Sequence, residues 1–342
     1  MKKLVVDCNS EGQRLNKYLG KYLDAAPQSF IYKMLRKKNI KYNGGKADGS
    51  EILSEGDIIE IYLADDTIAK FKNDNEVSYL TKVNNSPLDN IEIIYEDSDI
   101  IILNKPAGML SQKARPEDYS LNERIVEHYH QREDIDSVFT PSVCNRLDRN
   151  TSGIILAGMS YQGTRILSRM LKDRTVKKYY LTIVKGKVEE ACTIKGFLTK
   201  KETHNQVVIY PTKDQAKDNG IDNPAYIETG YIPLKTGHID DGKRSYDVTL
   251  LKVELITGKT HQIRAHLRSA GHPILGDGKY GHKDINAYMR KEYGLKHQLL
   301  HAYELHFPED VDKLNNELSG RLFTAELTEE FRNIYDALFG IQ

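Results

Sequence analysis

Val143-Cys144-Asn145-Arg146-Leu147-Asp148-Arg149-Asn150-Thr151-Ser152-Gly153 is the stretch on which the reading of this 342-residue chain turns. A basic, an apolar and an acidic residue lead into Thr151-Ser152-Gly153. The run Ile154-Ile155-Leu156-Ala157 that follows has the composition of a buried strand. A carboxylate held at a turn before such a strand can be aimed into a cleft, where burial and a cationic partner set its reactivity. Taken alone, an aspartate ahead of a glycine is ordinary turn chemistry. The neighbouring segments decide between the two readings.

Working outward, four more segments stand out. Asp99 to Met109 reads Asp-Ile-Ile-Ile-Leu-Asn-Lys-Pro-Ala-Gly-Met, a strand running into a turn. Lys178 to Gly186 reads Lys-Tyr-Tyr-Leu-Thr-Ile-Val-Lys-Gly. Gly258-Lys259-Thr260-His261-Gln262-Ile263-Arg264-Ala265-His266-Leu267 continues to Gly271-His272-Pro273-Ile274-Leu275-Gly276-Asp277. Leu300-His301-Ala302 precedes Leu305, Phe307 and Pro308. With the Arg146-Leu147-Asp148 string, these ordered segments resemble the RluA-type pseudouridine synthases, most nearly the RluC- and RluD-like subgroup. The likeness runs from about Ile91 to Pro308, and ordered motifs at compatible spacing are far more specific than any short match.

The resemblance implies an isomerase that breaks the N-glycosidic bond of a uridine in RNA, turns the uracil and rejoins it through its fifth carbon. Asp148 is then the catalytic residue, attacking the sugar or removing one of its protons. Arg264 matches the arginine that pairs with it, and Arg suits that role because its planar fork stays charged. Tyr180 takes the position that stacks on the flipped uracil, with Tyr179 as its neighbour in register. Arg146, two residues before Asp148 on an extended segment, helps hold the space the nucleotide vacates on flipping. The family usually carries His where this chain has Asn145, so no acid–base role belongs there and target preference is expected to differ. Nothing is oxidised, so no cofactor is expected. His261, His266 and His272 lack the carboxylate or thiolate company of a metal site, and none is expected. Gly258-Lys259-Thr260 lacks the upstream glycine of a phosphate-binding loop, position 253 being Val.

The charge of the chain is uneven. Lys plus Arg and Asp plus Glu number 49 each, for a net charge of zero, so any polyanion must be met by a local patch. From Glu11 to Lys46 nine basic side chains face two acidic ones, a net plus seven. Leu15, Tyr18, Leu19, Tyr22 and Leu23 recur at helical spacing there, as do Phe30, Ile31, Met34 and Leu35. A turn at Asn43-Gly44-Gly45 leads to a strand near Asp57 to Tyr62. Arg14-Leu15-x-Lys17-Tyr18-Leu19, Ile40 to Gly44 and Leu53-x-x-Gly56-Asp57 together resemble the S-four-type (alpha-L) RNA-binding domain. That resemblance makes Arg14, Lys17, Lys33, Arg36, Lys37 and Lys38 the RNA-binding candidates. The alternative for a Lys-rich helix is a solvated face with no partner.

Composition is that of a globular protein, 39% hydrophobic and 29% charged. The three cysteines, Cys8, Cys144 and Cys192, match no ligand spacing and leave an odd thiol, which fits a reducing compartment. No segment reads as a signal peptide or a membrane span. The expected organisation is an RNA-binding domain over 1–63, a linker over 64–90 rich in Asp, Asn, Lys and Ser, and a catalytic domain over 91–342. Strands expected near Ile91 to Tyr95, Ile100 to Leu103, Tyr180 to Val184, Val207 to Tyr210 and Val248 to Leu255 do not alternate strictly with helices at Ser120 to Tyr129 and Gly163 to Leu171. This mixture predicts an α+β fold with a mixed, largely antiparallel sheet, preceded by a small α/β domain. Lys213 to Asn223 and Thr236 to Arg244 read as surface loops. The function expected is a cytoplasmic, monomeric pseudouridine synthase acting on structured RNA. Large-subunit rRNA is the expected target, with tRNA the alternative. Two rivals are a non-catalytic RNA-binding ribosome-assembly factor and a hydrolase using Asp148. The first gives no reason to keep Asp148, Tyr180 and Arg264 together, and the second lacks a water-activating partner.

Overall fold

The computed structural model describes residues 1–72, 87–131, 138–201, 206–309 and 318–340. Contacts gather the chain into two compact units, one of Met1–Ile102, Gln112–Asn145 and Leu156–Arg169, the other of Leu103–Ser111, Arg146–Ile155 and Met170–Gln342.

The first unit opens with strand β1 (Lys2–Val5), helices α1 (Leu15–Tyr22) and α2 (Gln28–Arg36), and strands β2 (Ile40–Tyr42) and β3 (Ile58–Ile61). In α1 the residues at helical spacing, Leu15, Tyr18, Leu19 and Tyr22, are the buried ones, and in α2 they are Ile31, Met34 and Leu35. In β3 it is the alternate residues Ile59 and Ile61 that are buried. The three strands form an antiparallel sheet in the order β1-β3-β2. Helix α3 (Asp65–Phe71) adds Ile68 to this core, with Phe71 packed against it. This corrects the reading of 64–90 as linker, because Ile68 and Phe71 supply the apolar face that a polar count conceals. Residues 73–86 of that stretch lie outside the described residues. The N-terminal element is also less separate than the boundary at residue 63 implied. Val138 packs against its core, and the Lys21 ammonium stands 5.3 Å from the Phe139 ring centroid and 5.9 Å from that of Tyr161.

Strands β4 (Glu92–Glu96) and β5 (Ile100–Lys105) follow, then helix α4 (Leu121–His130), entered through a capping box of Ser120 and Glu123. Next come β6 (Ser142–Val143), β7 (Ser152–Gly158) and helix α5 (Tyr161–Asp173). Every residue of β7 is buried, as the run after the Arg-Leu-Asp string predicted.

The rest of the chain is β8 (Lys177–Lys185), β9 (Cys192–Lys201), β10 (Gln206–Tyr210), α6 (Lys213–Asp218), β11 (Ala225–Asp240), β12 (Ser245–Leu255), α7 (Gln262–Ser269), α8 (Lys283–Tyr293), β13 (Leu300–His306), β14 (Leu322–Thr324) and α9 (Glu329–Phe339). The described strands make an 11-stranded sheet in the order β10-β9-β11-β12-β8-β13-β7-β5-β4, with β14 on β13 and β6 on β7. The β13–β7 pair is parallel and the ladders from β10 through to β13 are antiparallel, so the sheet is mixed and largely antiparallel, the α+β fold expected. Its core in the second unit is the cluster around Ile183, Val248, Leu275, Met289 and Phe331.

Two loop readings are corrected. Lys213 to Asp218 is helical, capped by the Thr212 side chain, which accepts from the Gln215 N–H. Thr236 to Asp240 belongs to β11, a 16-residue strand hidden in the sequence by Pro233, Gly237 and a wet second face. Its register slips between Pro233 and Lys235, which lets a proline sit in a long ladder.

Candidate active site

Within the second unit, Leu103–Ser111, Arg146–Ile155, β8, α7 and the start of β13 come together, with β8, β13 and β7 side by side in the sheet. Asp148 follows Leu147, whose backbone is pinned on both sides by one side chain. The Leu147 N–H donates to Ser111 Oγ at 3.1 Å, and the Ser111 hydroxyl donates to the Leu147 carbonyl at 3.0 Å. On the other side of Asp148, the Gly108 N–H donates to the Arg149 carbonyl at 2.9 Å and Arg149 Nε returns a bond to the Gly108 carbonyl at 3.0 Å. The Lys-Pro-Ala-Gly turn therefore clamps the loop that carries the aspartate. Gly153 closes the arrangement: its φ is +109°, and a Cβ there would lie 2.2 Å from the Ala302 carbonyl oxygen. Only glycine lets β7 approach β13 this closely.

Arg264 lies on α7 and is buried. Its Nη1 donates to Asp148 Oδ2 at 2.8 Å, while Nε and Nη2 donate to Asp277 Oδ2 and Oδ1 at 2.7 and 2.9 Å. The expected pairing is present, but the fork of the guanidinium goes to Asp277, which sequence reasoning left without a role. Asp277 is itself fully buried at the side chain, whereas Asp148 keeps 24% of its side-chain surface exposed. Besides Arg264, Asp277 accepts backbone N–H bonds from Lys279 and Tyr280. Burial works against its charge, but these bonds outweigh it and hold the carboxyl below its ordinary value. For Arg264, burial also opposes the charge, and the bonds and charges of Asp277 and then Asp148 more than offset it. A buried arginine needs several acceptors, and the Gly276-Asp277 pair thirteen residues on was the available signal.

Three further groups complete the site. Lys105 is fully buried, with Nζ donating to the carbonyls of Pro106, Met109 and Arg149. Desolvation pulls its pKa down to about 7, with the charge of Asp148 pulling the other way. Gln262 fixes the start of α7: its amide donates to the Glu228 carbonyl and Thr229 Oγ1 and accepts from the Thr257 hydroxyl and the Lys259 N–H. Tyr180 on β8 is buried, and burial, aided by the Asp148 charge, raises its pKa so that it stays a neutral phenol. Arg146, Asp148, Tyr180, His261, Ile263 and Arg264 line one cleft. Side-chain alternation along β8 settles the register: Tyr179 lies outside that lining and packs instead with Lys252 and His306. Asn145 plays a structural part, its Oδ1 accepting from the Leu156 N–H at 2.7 Å. Among the described residues no three His, Cys, Asp or Glu side chains are placed to hold a metal ion, and no helix is long and apolar enough to cross a membrane.

The six basic candidates belong to the first unit, and none of them lines this cleft. Arg14, Lys17, Lys33, Arg36, Lys37 and Lys38 are all exposed, and none forms an ion pair among the described residues. Exposed cations that pair with no carboxylate suit phosphates.

An aspartate paired with a buried arginine, beside a neutral tyrosine on an interior strand of a mixed sheet, defines an isomerase that acts on RNA when set beside known proteins. The RNA pseudouridylate synthase family matches residues 99–269, half the chain. Ribosomal large subunit pseudouridine synthase C of Haemophilus influenzae is 32% identical over 342 residues, 99% of this chain and 95% of that protein. The enzyme of the same name from Pasteurella multocida is 30% identical over 308 residues, 90% of this chain and 86% of that one. In fold, human RNA pseudouridylate synthase domain containing 4 is similar with a TM-score of 0.53 at 19% identity, covering 71% of this chain and 91% of its own. This chain belongs to the RNA pseudouridylate synthase family.

Proposed function

We propose that this enzyme isomerises uridines in large-subunit ribosomal RNA, with Asp148 as the reacting group and Tyr180, Arg264 and Arg146 arranged around it. The observation that carries the assignment of roles is the convergence of three distant segments on one cleft, with Arg264 Nη1 2.8 Å from Asp148 Oδ2. The names of the Haemophilus and Pasteurella relatives support ribosomal RNA over tRNA.

In this reading Arg264 occupies Oδ2 and leaves Oδ1 facing the substrate. The uracil stacks on Tyr180, whose backbone is fixed on both sides by the pairing of β8 with β12 and β13. Cleavage of the bond from N1 to C1′ and formation of a bond from C5 to C1′ move one proton from C5 to N1, so the reaction is balanced without an external oxidant or metal. Arg146 fills the space left in the RNA stack, offsetting a flipping cost of a few kcal/mol. The enzyme works in the cytoplasm as a monomer. Pseudouridine mapped in the large-subunit rRNA of cells lacking the gene should lose one or a few sites, which return with the wild-type gene and not with Asp148→Asn. Unchanged rRNA with losses in tRNA would redirect the target assignment.

Residues 1–63 supply affinity as an S-four-type RNA-binding domain, their exposed cations contacting phosphates rather than reading sequence. Lys33→Ala, Arg36→Ala and Lys37→Ala combined should weaken RNA binding at low salt. Each lost contact should flatten the dependence of log affinity on log salt by about 0.7–0.9. Filter binding across a salt series is the measurement, and an unchanged slope would return these helices to a solvated face.

A further inference from the structure

His261 borders the cleft from the N-cap of α7 with a left-handed backbone, φ 53°, a conformation uncommon for a residue that carries a Cβ. Its side chain is nearly buried, and both ring nitrogens have definable surroundings. Nδ1 lies 3.0 Å from Tyr280 Oη. Tyr280 Oη already accepts the Val207 N–H at 2.8 Å, which leaves its own proton to be donated to Nδ1. With Nδ1 as the acceptor, the ring proton sits on Nε2. That nitrogen points at the cleft, 4.0 Å from Asp148 Oδ2, too far for a hydrogen bond, and no other acceptor reaches it among the described residues.

We infer that His261 is a substrate-positioning donor, its Nε2–H, fixed by Tyr280, binding a neutral oxygen of the target nucleotide beside Asp148. The inference rests on the proposed reaction at this cleft. Two oxygens share the required chemistry, a uracil carbonyl and the ribose 2′-hydroxyl. Burial keeps the imidazole neutral by lowering its pKa, and Arg264 and Lys279 reinforce this against the pull of Asp148 and Asp277. A neutral donor binds an uncharged acceptor without competing with Arg264 for the carboxylate. Sequence reading weighed His261 only as a metal ligand, because the tautomer depends on Tyr280 and Val207, which lie 19 and 73 residues from their partners.

The test has two parts. In the full-length protein labelled with 15N-histidine, two-bond correlations should show His261 Nδ1 unprotonated and Nε2 protonated, and Tyr280→Phe should mix the tautomers. Activity is then compared on the rRNA fragment holding the mapped uridine, replaced in turn by 2-thiouridine, 4-thiouridine and 2′-deoxyuridine. His261→Leu should lose about tenfold in turnover, the scale of one neutral hydrogen bond, with RNA affinity little changed, and His261→Gln should recover most of it. One replacement should slow the wild type but not His261→Leu, and it identifies the acceptor. A proton on Nδ1, or equal losses for every replacement in wild type and His261→Leu, overturns the inference. A wild type inactive on every RNA refutes the proposed function instead, since the tautomer is read without turnover.

Discussion

Asp148→Asn should abolish pseudouridine formation, by at least about ten-thousandfold, the scale on which enzymes fail when the reacting side chain is removed. RNA affinity should stay within a few fold, because the exposed cations of the first unit are untouched. The fold should survive for a reason visible in the site. Arg264 keeps both of its bonds to Asp277, so its charge remains balanced when Asp148 becomes neutral. The amide oxygen can still accept from Nη1 in place of Oδ2. Lys105 is the group that notices, since Asp148 supplies the charge that opposes its desolvation. Its pKa should fall further, leaving it neutral inside its cage of three carbonyls. Release of tritium from uridine labelled at the fifth carbon measures turnover. Near-normal release by the variant would remove Asp148 from the chemistry.

The residues that sequence made legible are those whose role is written in local order. Asp148, Tyr180 and Arg264 sit within short strings, and the sheet brings two of those strings close by setting β8 and β7 on either side of β13, out of sequence order. The buried strands β5, β7 and β8 announce themselves by apolar runs. What stayed hidden depends on partners far along the chain. Asp277 became the main counterion of Arg264 only because α7 turns its arginine toward the Gly276 turn. Lys105 carries no mark in the sequence of the three carbonyls that close over it. Strand β11 escaped notice because one face is wet and a proline interrupts it, which blurs the alternation that betrays a strand. Helix α3 hid among polar residues because only Ile68 and Phe71 mark its buried side. The domain boundaries suffered for the same reason, since composition records where polar residues gather and not what packs against Lys21 or Val138.

Arg264→Met should destabilise the protein by about 3–5 kcal/mol, the cost of leaving a buried charge without its partner. The stranded charge that matters is Asp277, whose side chain is fully buried and keeps the N–H groups of Lys279 and Tyr280. Asp148, with a quarter of its side chain exposed, can turn to water. The two pairings are therefore unequal, and denaturant melts of double mutants separate them. Asp277→Asn with Arg264→Met should be strongly non-additive, whereas Asp148→Asn with Arg264→Met should couple weakly. The pH dependence gives an independent check. In the wild type the folded pKa of Asp277 is depressed below its ordinary value of 3.8. Its stabilising effect is thus complete above that value and is lost only as pH falls toward the folded pKa. Without Arg264, burial dominates and raises the folded pKa above the unfolded one. The folded state then binds the extra proton, and the variant should gain stability relative to wild type as pH is lowered from 7 to 5. A penalty that is constant over this range, or a larger coupling to Asp148 than to Asp277, would mean that Arg264 is held chiefly by Asp148. Removing Asp148 would then loosen α7 itself, and the inactivity of Asp148→Asn would no longer separate chemistry from structure.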